Sequence, residues 1–295
     1  AQPPDRPTSP QTLSTMLLAA AMSLLFMILL VLLFDWFDTT IKTSEDVINL
    51  AGLVPLGCVP ASHKTESIEL LNLAAKSSIP VREALNMVGI NLRAQLKGQR
   101  FLLVSGARTG VGATTVAAYL ATSLAQTGMR VLLLDANLRR PLLHKVFRGP
   151  NTNGLSNRLA DVERFQEQPT LYPRSWLQRW KTPIANLWLL PAGPPPAQST
   201  AVNIQELQQL KEWLLGERRM LDHSNVSPLI DLIVCDTAPL CEGSDTYGLS
   251  MIADGIVMVI EAGKEQKETL CDTHALHLQA PILGVVVNRQ KVGQM

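Results

Sequence analysis

The chain has 295 residues, 26 Lys and Arg against 25 Asp and Glu, and 46% apolar residues. That composition excludes bulk disorder and coiled coil, and it lacks the basic surplus that a nucleic-acid surface requires, so no nucleic-acid partner is expected. Four cysteines without a C-x-x-C spacing make neither a disulfide scaffold nor an evident zinc site, and the length allows one large domain or two modest ones.

The chain begins with Ala, and is therefore expected to be processed or part of a longer protein. The leader PPDRPTSP is extended and non-helical. It precedes LSTMLLAAAMSLLFMILLVLLF, Leu13–Phe34, 22 uncharged residues. At about 1.5 Å per residue this run spans about 33 Å, the hydrocarbon thickness of a bilayer. A buried core helix rarely stays apolar on every side for so long. A signal peptide would be shorter and followed by a small-residue cleavage site, whereas DWFDTT follows here. A transmembrane helix is therefore expected. Arg6 and Lys42 flank it too evenly to orient it by charge.

Beyond the span, Thr43 or Ser44 offers an N-cap, with Glu45 and Asp46 in the first turn. GLVPLGCVPA reads as a short strand broken by prolines, residues 61–80 as a polar linker, and 81–97 as a helix. Strands and helices then alternate. FLLV at 101–104 leads through a glycine loop into an Ala-rich helix over 113–127, closed by Gly128. Further strands are read at 131–135, 187–191, 231–236, 255–261 and 282–288, with a Leu/Gln/Glu-rich helix over 203–221. The strands are continuous apolar runs, the pattern of a parallel sheet covered by helices on both faces.

The chemistry concentrates in SGARTGVGATT, Ser105 to Thr115, between a strand and a helix. Glycines there allow close approach, and the open N–H groups of a helix N-terminus form an anion cradle. The competing reading is a tight turn without ligand. Read as a P-loop, the segment is Ala107-x-x-x-x-Gly112-Ala113-Thr114: the lysine is replaced by Ala113, while Thr114 keeps the Mg²⁺-ligating hydroxyl. Read as a dinucleotide loop, S-G-x-x-x-G-x-G with Asp135 ending the next strand resembles a short-chain dehydrogenase fingerprint. That chemistry needs Tyr-x-x-x-Lys, because the lysine lowers the tyrosine's pKa. Tyr119, Tyr172 and Tyr247 are followed at the fourth position by Ser123, Trp176 and Met251, which disfavours the NAD(P) reading. Asp236, ending an apolar strand before Thr-Ala-Pro, has the place of a Walker B carboxylate that holds the Mg²⁺ water shell. Asp135-x-Asn137 ends another strand, with Arg139 and Arg140 behind it. A single strand-end Asp is as readily a helix cap. Two that converge with a glycine loop favour a site.

At these residues the chain resembles the bacterial tyrosine kinase family in its membrane-fused form, the Wzc-like polysaccharide co-polymerases, over about Pro3 to Arg289. PDRPTSP before a span, DTTIKTSEDV, GLVPLGCVP, VLLLDANLRRPLLH, NTNGLSNRLAD, LPAGPPP, DLIVCDTAPL, ADGIVMVIEAGK and LGVVVNR each match a family segment, in order. The resemblance implies a doubly wound P-loop fold of the MinD/ParA type behind one membrane helix. It implies binding of ATP or ADP with Mg²⁺, self-association, tyrosine autophosphorylation, and control of exopolysaccharide or capsule polymerisation and export at the bacterial inner membrane. It places the N-terminus in the periplasm, with a further span and a periplasmic domain ahead of Ala1. The implied division is a periplasmic Pro-rich segment over 1–12, the membrane helix over 13–34, a juxtamembrane linker over 35–80 and a cytoplasmic kinase-like domain over 81–295.

Carried over by position, Thr109, Gly110, Val111, Gly112, Ala113, Thr114 and Thr115 form the phosphate loop. Thr114 and Asp236 are the Mg²⁺ residues, Asp135 the carboxylate that activates the tyrosine hydroxyl, and Asn288 the residue near adenine. The departures all point one way. Ala113 replaces the lysine, and Asn137 replaces a second aspartate. The oligomer motif Glu-x-x-Arg-x-x-Arg reads Glu83-x-x-Asn86-x-x-Gly89, and no tyrosine cluster ends the chain. Weakened or lost kinase activity is therefore expected, with an active autokinase as the alternative. Arg108, at the extra-lysine position of deviant P-loop ATPases, is the expected substitute cation; the simpler reading is a solvated loop arginine. Cys271, His274 and His277 are spaced as a mixed helix face rather than a zinc site.

Overall fold

The computed structural model describes residues 12–37, 40–61, 79–157, 180–194, 204–215, 230–240, 242, 244–265, 278 and 280–290. The chain divides into two units, Ala1–Thr40 and Ile41–Met295. In the first, helix α1 (Thr12–Phe37) carries apolar side chains around its whole circumference, and nearly all of those described stand exposed. Among the described residues it is the one helix long and apolar enough to cross a membrane, and it fits a single transmembrane helix.

The second unit is built on a seven-stranded, wholly parallel sheet. In chain order its elements are α2 (Ser44–Ala51), β1 (Pro55–Pro60), α3 (Ile79–Gln95), β2 (Phe101–Gly106), α4 (Ala113–Gln126), β3 (Val131–Asp135), α5 (Leu143–Val146), β4 (Leu187–Leu190), α6 (Ile204–Leu215), β5 (Leu232–Asp236), α7 (Ser244–Ile252), β6 (Gly255–Glu261) and β7 (Ile282–Gln290). The strands lie in the order β1-β7-β6-β2-β5-β3-β4. The apolar runs are buried on both faces. On one face Leu102, Val104, Leu133, Val234 and Val257 pack with Leu85 and Leu92 of α3 and Leu120 and Leu124 of α4. On the other, Phe101, Leu103, Leu134, Ile233 and Met258 pack with Leu207 and Leu210 of α6, Leu249 of α7 and Val47 of α2. This is the doubly wound architecture that the runs implied.

The segment expected as a juxtamembrane linker over 35–80 contributes to this unit. Thr43 caps α2 in a reciprocal capping box with Asp46, and Gly52 ends the helix in a left-handed conformation. β1 then joins the sheet as an edge strand on β7, with Pro55 opposite Val285. Prolines at both of its ends are tolerated because an edge strand has one side without ladder partners. The oligomer-motif position Gly89 faces inward: a Cβ there would meet the Ser123 Oγ at 2.4 Å, so this glycine lets α3 close on α4.

β2 is central, flanked by β6 and β5, and its connections leave to both sides. In open sheets of this kind ligands bind at such a switch point, beyond the carboxyl ends of the strands. The β1 edge is tightly built as well. A Cβ on Gly284 of β7 would lie 2.6 Å from the Leu56 side chain and 2.8 Å from the Val54 carbonyl oxygen. Gly284→Val is expected to force β1 off the sheet and lower stability by about 1–3 kcal/mol, measured by denaturant unfolding of the full chain in micelles.

Candidate phosphate-binding site

The loop leaving β2 turns over the carboxyl edge of the sheet and is fastened from below. Ala107 N–H donates to the Val259 carbonyl (2.9 Å), and the Ser105 hydroxyl donates to the Ala238 carbonyl (2.9 Å). Gly110 and Gly112 adopt φ of 88° and 91°, a region that costs other residues about 1–2 kcal/mol. The Asn288 Nδ2 donates to the Val111 carbonyl at 2.7 Å and leaves no room for a side chain at Gly112, whose Cβ would lie 2.4 Å from that nitrogen. Gly112 is also the N-cap of α4 and supplies no side-chain cap. The loop therefore presents the first turn of α4 to a cavity of about 500 Å³.

Arg108, Thr109, Gly110, Val111, Gly112, Ala113, Thr114 and Thr115 all line that cavity. Asn288 braces the loop from beneath through its bond to the Val111 carbonyl and is not among the lining residues. Arg108 lines the cavity, but its guanidinium is held by acids, with Nε 2.6 Å from Glu265 and Nη2 3.6 Å from Glu261. Ala113 places a methyl group where a P-loop lysine would reach forward.

Asp135 and Asp236 end adjacent strands, paired in register, and both are buried. Their surroundings differ. Asp135 accepts the Asn137 N–H at 3.2 Å and the Leu143 N–H at 3.1 Å, and so caps the turn that starts α5. Burial nevertheless raises its pKa to about 6, against the pull of those N–H groups. Neither carboxylate oxygen of Asp236 has a well-formed hydrogen bond. Burial, and then the neighbouring Asp135 charge, push Asp236 well above the ordinary carboxylate range, and the nearby Thr114 hydroxyl only partly offsets this. A buried carboxylate with no well-formed hydrogen bond, beside a threonine hydroxyl at the head of a phosphate loop, fits a hard divalent cation.

Sequence reasoning missed several lining residues. Glu242 and Asp245 come from the loop after β5 and the start of α7, and Arg289 from the end of β7. Arg289 has a left-handed φ of 57° and pairs with Glu261 at 3.4 Å. Arg139 lies 3.9 Å from Asp245. The one signal for Arg289 was its place directly after the strand-end Asn288. The Cys271, His274 and His277 group lies outside the described residues.

The sequence profile of the CobQ/CobB/MinD/ParA nucleotide binding domain matches residues 102–294. The chain is 28% identical to tyrosine-protein kinase YwqD of Bacillus subtilis, over 65% of this chain and 73% of that one. It is 28% identical to tyrosine-protein kinase ptk of Acinetobacter johnsonii, where 90% of this chain spans 35% of the relative. In three dimensions it resembles the kinase domain of Escherichia coli tyrosine kinase ETK, with a TM-score of 0.64 at 21% identity, covering 83% of this chain and 93% of that domain.

The two carboxyls set a pH dependence. Both titrate higher in the folded chain than in the unfolded one, so the folded state holds more protons above the ordinary Asp value. Asp135 thus removes stability as pH rises toward about 6, and Asp236 acts in the same direction. Asp236→Asn is expected to stabilise the nucleotide-free chain by about 1–3 kcal/mol at pH 7.5 and by less at pH 4.5, read from denaturant unfolding at the two pH values.

Proposed function

Because the chain belongs to the CobQ/CobB/MinD/ParA nucleotide binding family, in its bacterial tyrosine kinase branch, we propose that the cavity beyond β2 binds ATP or ADP with Mg²⁺. We further propose that residues 81–295 are the cytoplasmic, tyrosine-kinase-like regulatory domain of an exopolysaccharide or capsule chain-length and export protein. In this reading α1 anchors the chain in the bacterial inner membrane, residues 1–12 are periplasmic, and the partners are further copies of the chain and the polysaccharide polymerase and export machinery. Its kinase activity is weakened or lost.

The observation that carries this reading is the combination at the head of α4. Thr114 and the unpartnered carboxylate of Asp236 keep the cation-binding donors, while Ala113 takes away the ammonium. Gly110, Gly112 and the first turn of α4 would hold the phosphate chain, and Thr114 and Asp236 would hold Mg²⁺. When bound, the ion neutralises charge on the phosphates. Arg108 does not replace the lysine in this arrangement, since Glu265 and Glu261 already share its charge. By analogy with the loss of one oxyanion-hole donor, losing a preorganised group of this kind costs about 10²–10³ in rate.

One observation favours the alternative, an active autokinase. Asp135 is buried beside the site with a pKa of about 6, close to the value at which a carboxylate accepts a hydroxyl proton near neutral pH. The two readings separate on one comparison. The full chain and Ala113→Lys are incubated with Mg-ATP in micelles and assayed for phosphotyrosine by immunoblot. Ala113→Lys is expected to raise the signal by about 10²-fold. Equal, strong phosphorylation of both proteins would establish the autokinase instead.

A further inference from the structure

We propose that Glu242 is a specificity-determining residue that occupies the terminal-phosphate end of the loop, so that the site takes nucleoside diphosphates in preference to triphosphates. The inference rests on the nucleotide-site reading above and goes beyond it in naming which nucleotide the free site is built to hold.

Glu242 follows β5, and its own backbone is fixed by a turn in which its N–H donates to the Pro239 carbonyl at 3.0 Å. Its Oε1 accepts the Thr109 backbone N–H at 3.2 Å, and its Oε2 accepts the Thr109 hydroxyl. Thr109 lies before Gly110, at the far end of the loop from the first turn of α4. In a P-loop the backbone N–H groups cradle the inner phosphates, and the lysine reaches outward to the terminal ones. The outer end of this loop therefore has no lysine, because of Ala113, and already has an anion on its donors. A carboxylate and a phosphate oxygen compete for such donors as anionic acceptors of the same sign.

Three of the four arginines that line the cavity already face acids: Arg108 is shared between Glu265 and Glu261, Arg289 is 3.4 Å from Glu261, and Arg139 is 3.9 Å from Asp245, while Arg140 is the fourth and offsets the Glu242 charge only in part. A third phosphate must therefore displace Glu242 from two hydrogen bonds, or lie against its carboxylate. A diphosphate held at the first turn of α4 ends short of it. Glu242 is exposed, so displacement is feasible, and the outcome is a preference rather than an exclusion.

The test is equilibrium binding of Mg-ADP and of Mg²⁺ with the non-hydrolysable β,γ-imido analogue of ATP, to the full chain and to Glu242→Gln in micelles. The parent chain is expected to bind the diphosphate at least about tenfold tighter than the triphosphate analogue, and Glu242→Gln to bring the two within about threefold. Equal or tighter binding of the triphosphate analogue by the parent would overturn the proposal and leave the nucleotide site standing. A preference that survives Glu242→Gln would overturn the role of Glu242. Failure of either protein to bind any nucleotide would remove the site reading, and this proposal with it.

Discussion

The loop after β2 can cup an anion only because its backbone is held in a shape that most residues resist. Two left-handed glycines bend it, and the amide of Asn288, reaching across from β7, grips the Val111 carbonyl from beneath. The first turn of α4 is thereby left without a side-chain cap. Each of these features depends on the parallel sheet, which brings the ends of β2, β5, β6 and β7 to one edge. The phosphate cradle is thus a property of the sheet order as much as of the glycine-rich segment.

Electrostatics then divides the site into two ends. At the inner end, two buried carboxylates stand side by side, one satisfied by backbone N–H groups and the other unsatisfied. Keeping both without a cation costs the fold stability, as is common where function rather than packing selects a residue. At the outer end, the ordinary lysine is missing and a glutamate has moved onto the loop. In the proposed reading a cation is attracted to the first end and a further phosphate is repelled at the second.

Much of this was legible in the chain itself. Continuous apolar runs gave the strands to within a residue or two, because a strand buried on both faces leaves no room for polar alternation. The spacing of Gly110, Gly112 and Thr114 gave the loop, since few other residues allow that backbone. The grip of Asn288 on the loop was not legible, because it depends on how near β7 lies to Val111. Glu242 gave no signal for a similar reason: it lies 133 positions from Thr109 and is brought there only by β5 pairing with β2. Asp135 shows the ambiguity most plainly, being at once a candidate base and a cap for α5.

β1 has a consequence for how the protein can be shortened. A chain trimmed to begin after residue 60 would retain the whole phosphate loop, yet would strip the last strand from one side of the sheet. The row of N–H and C=O groups along Ile282–Gln290 would then face solvent beside a run of valines, a template for edge-to-edge aggregation. The natural cut lies ahead of Ile41, whose N–H and carbonyl bond to Glu265 and Gly263 and stitch the start of this unit to the end of β6.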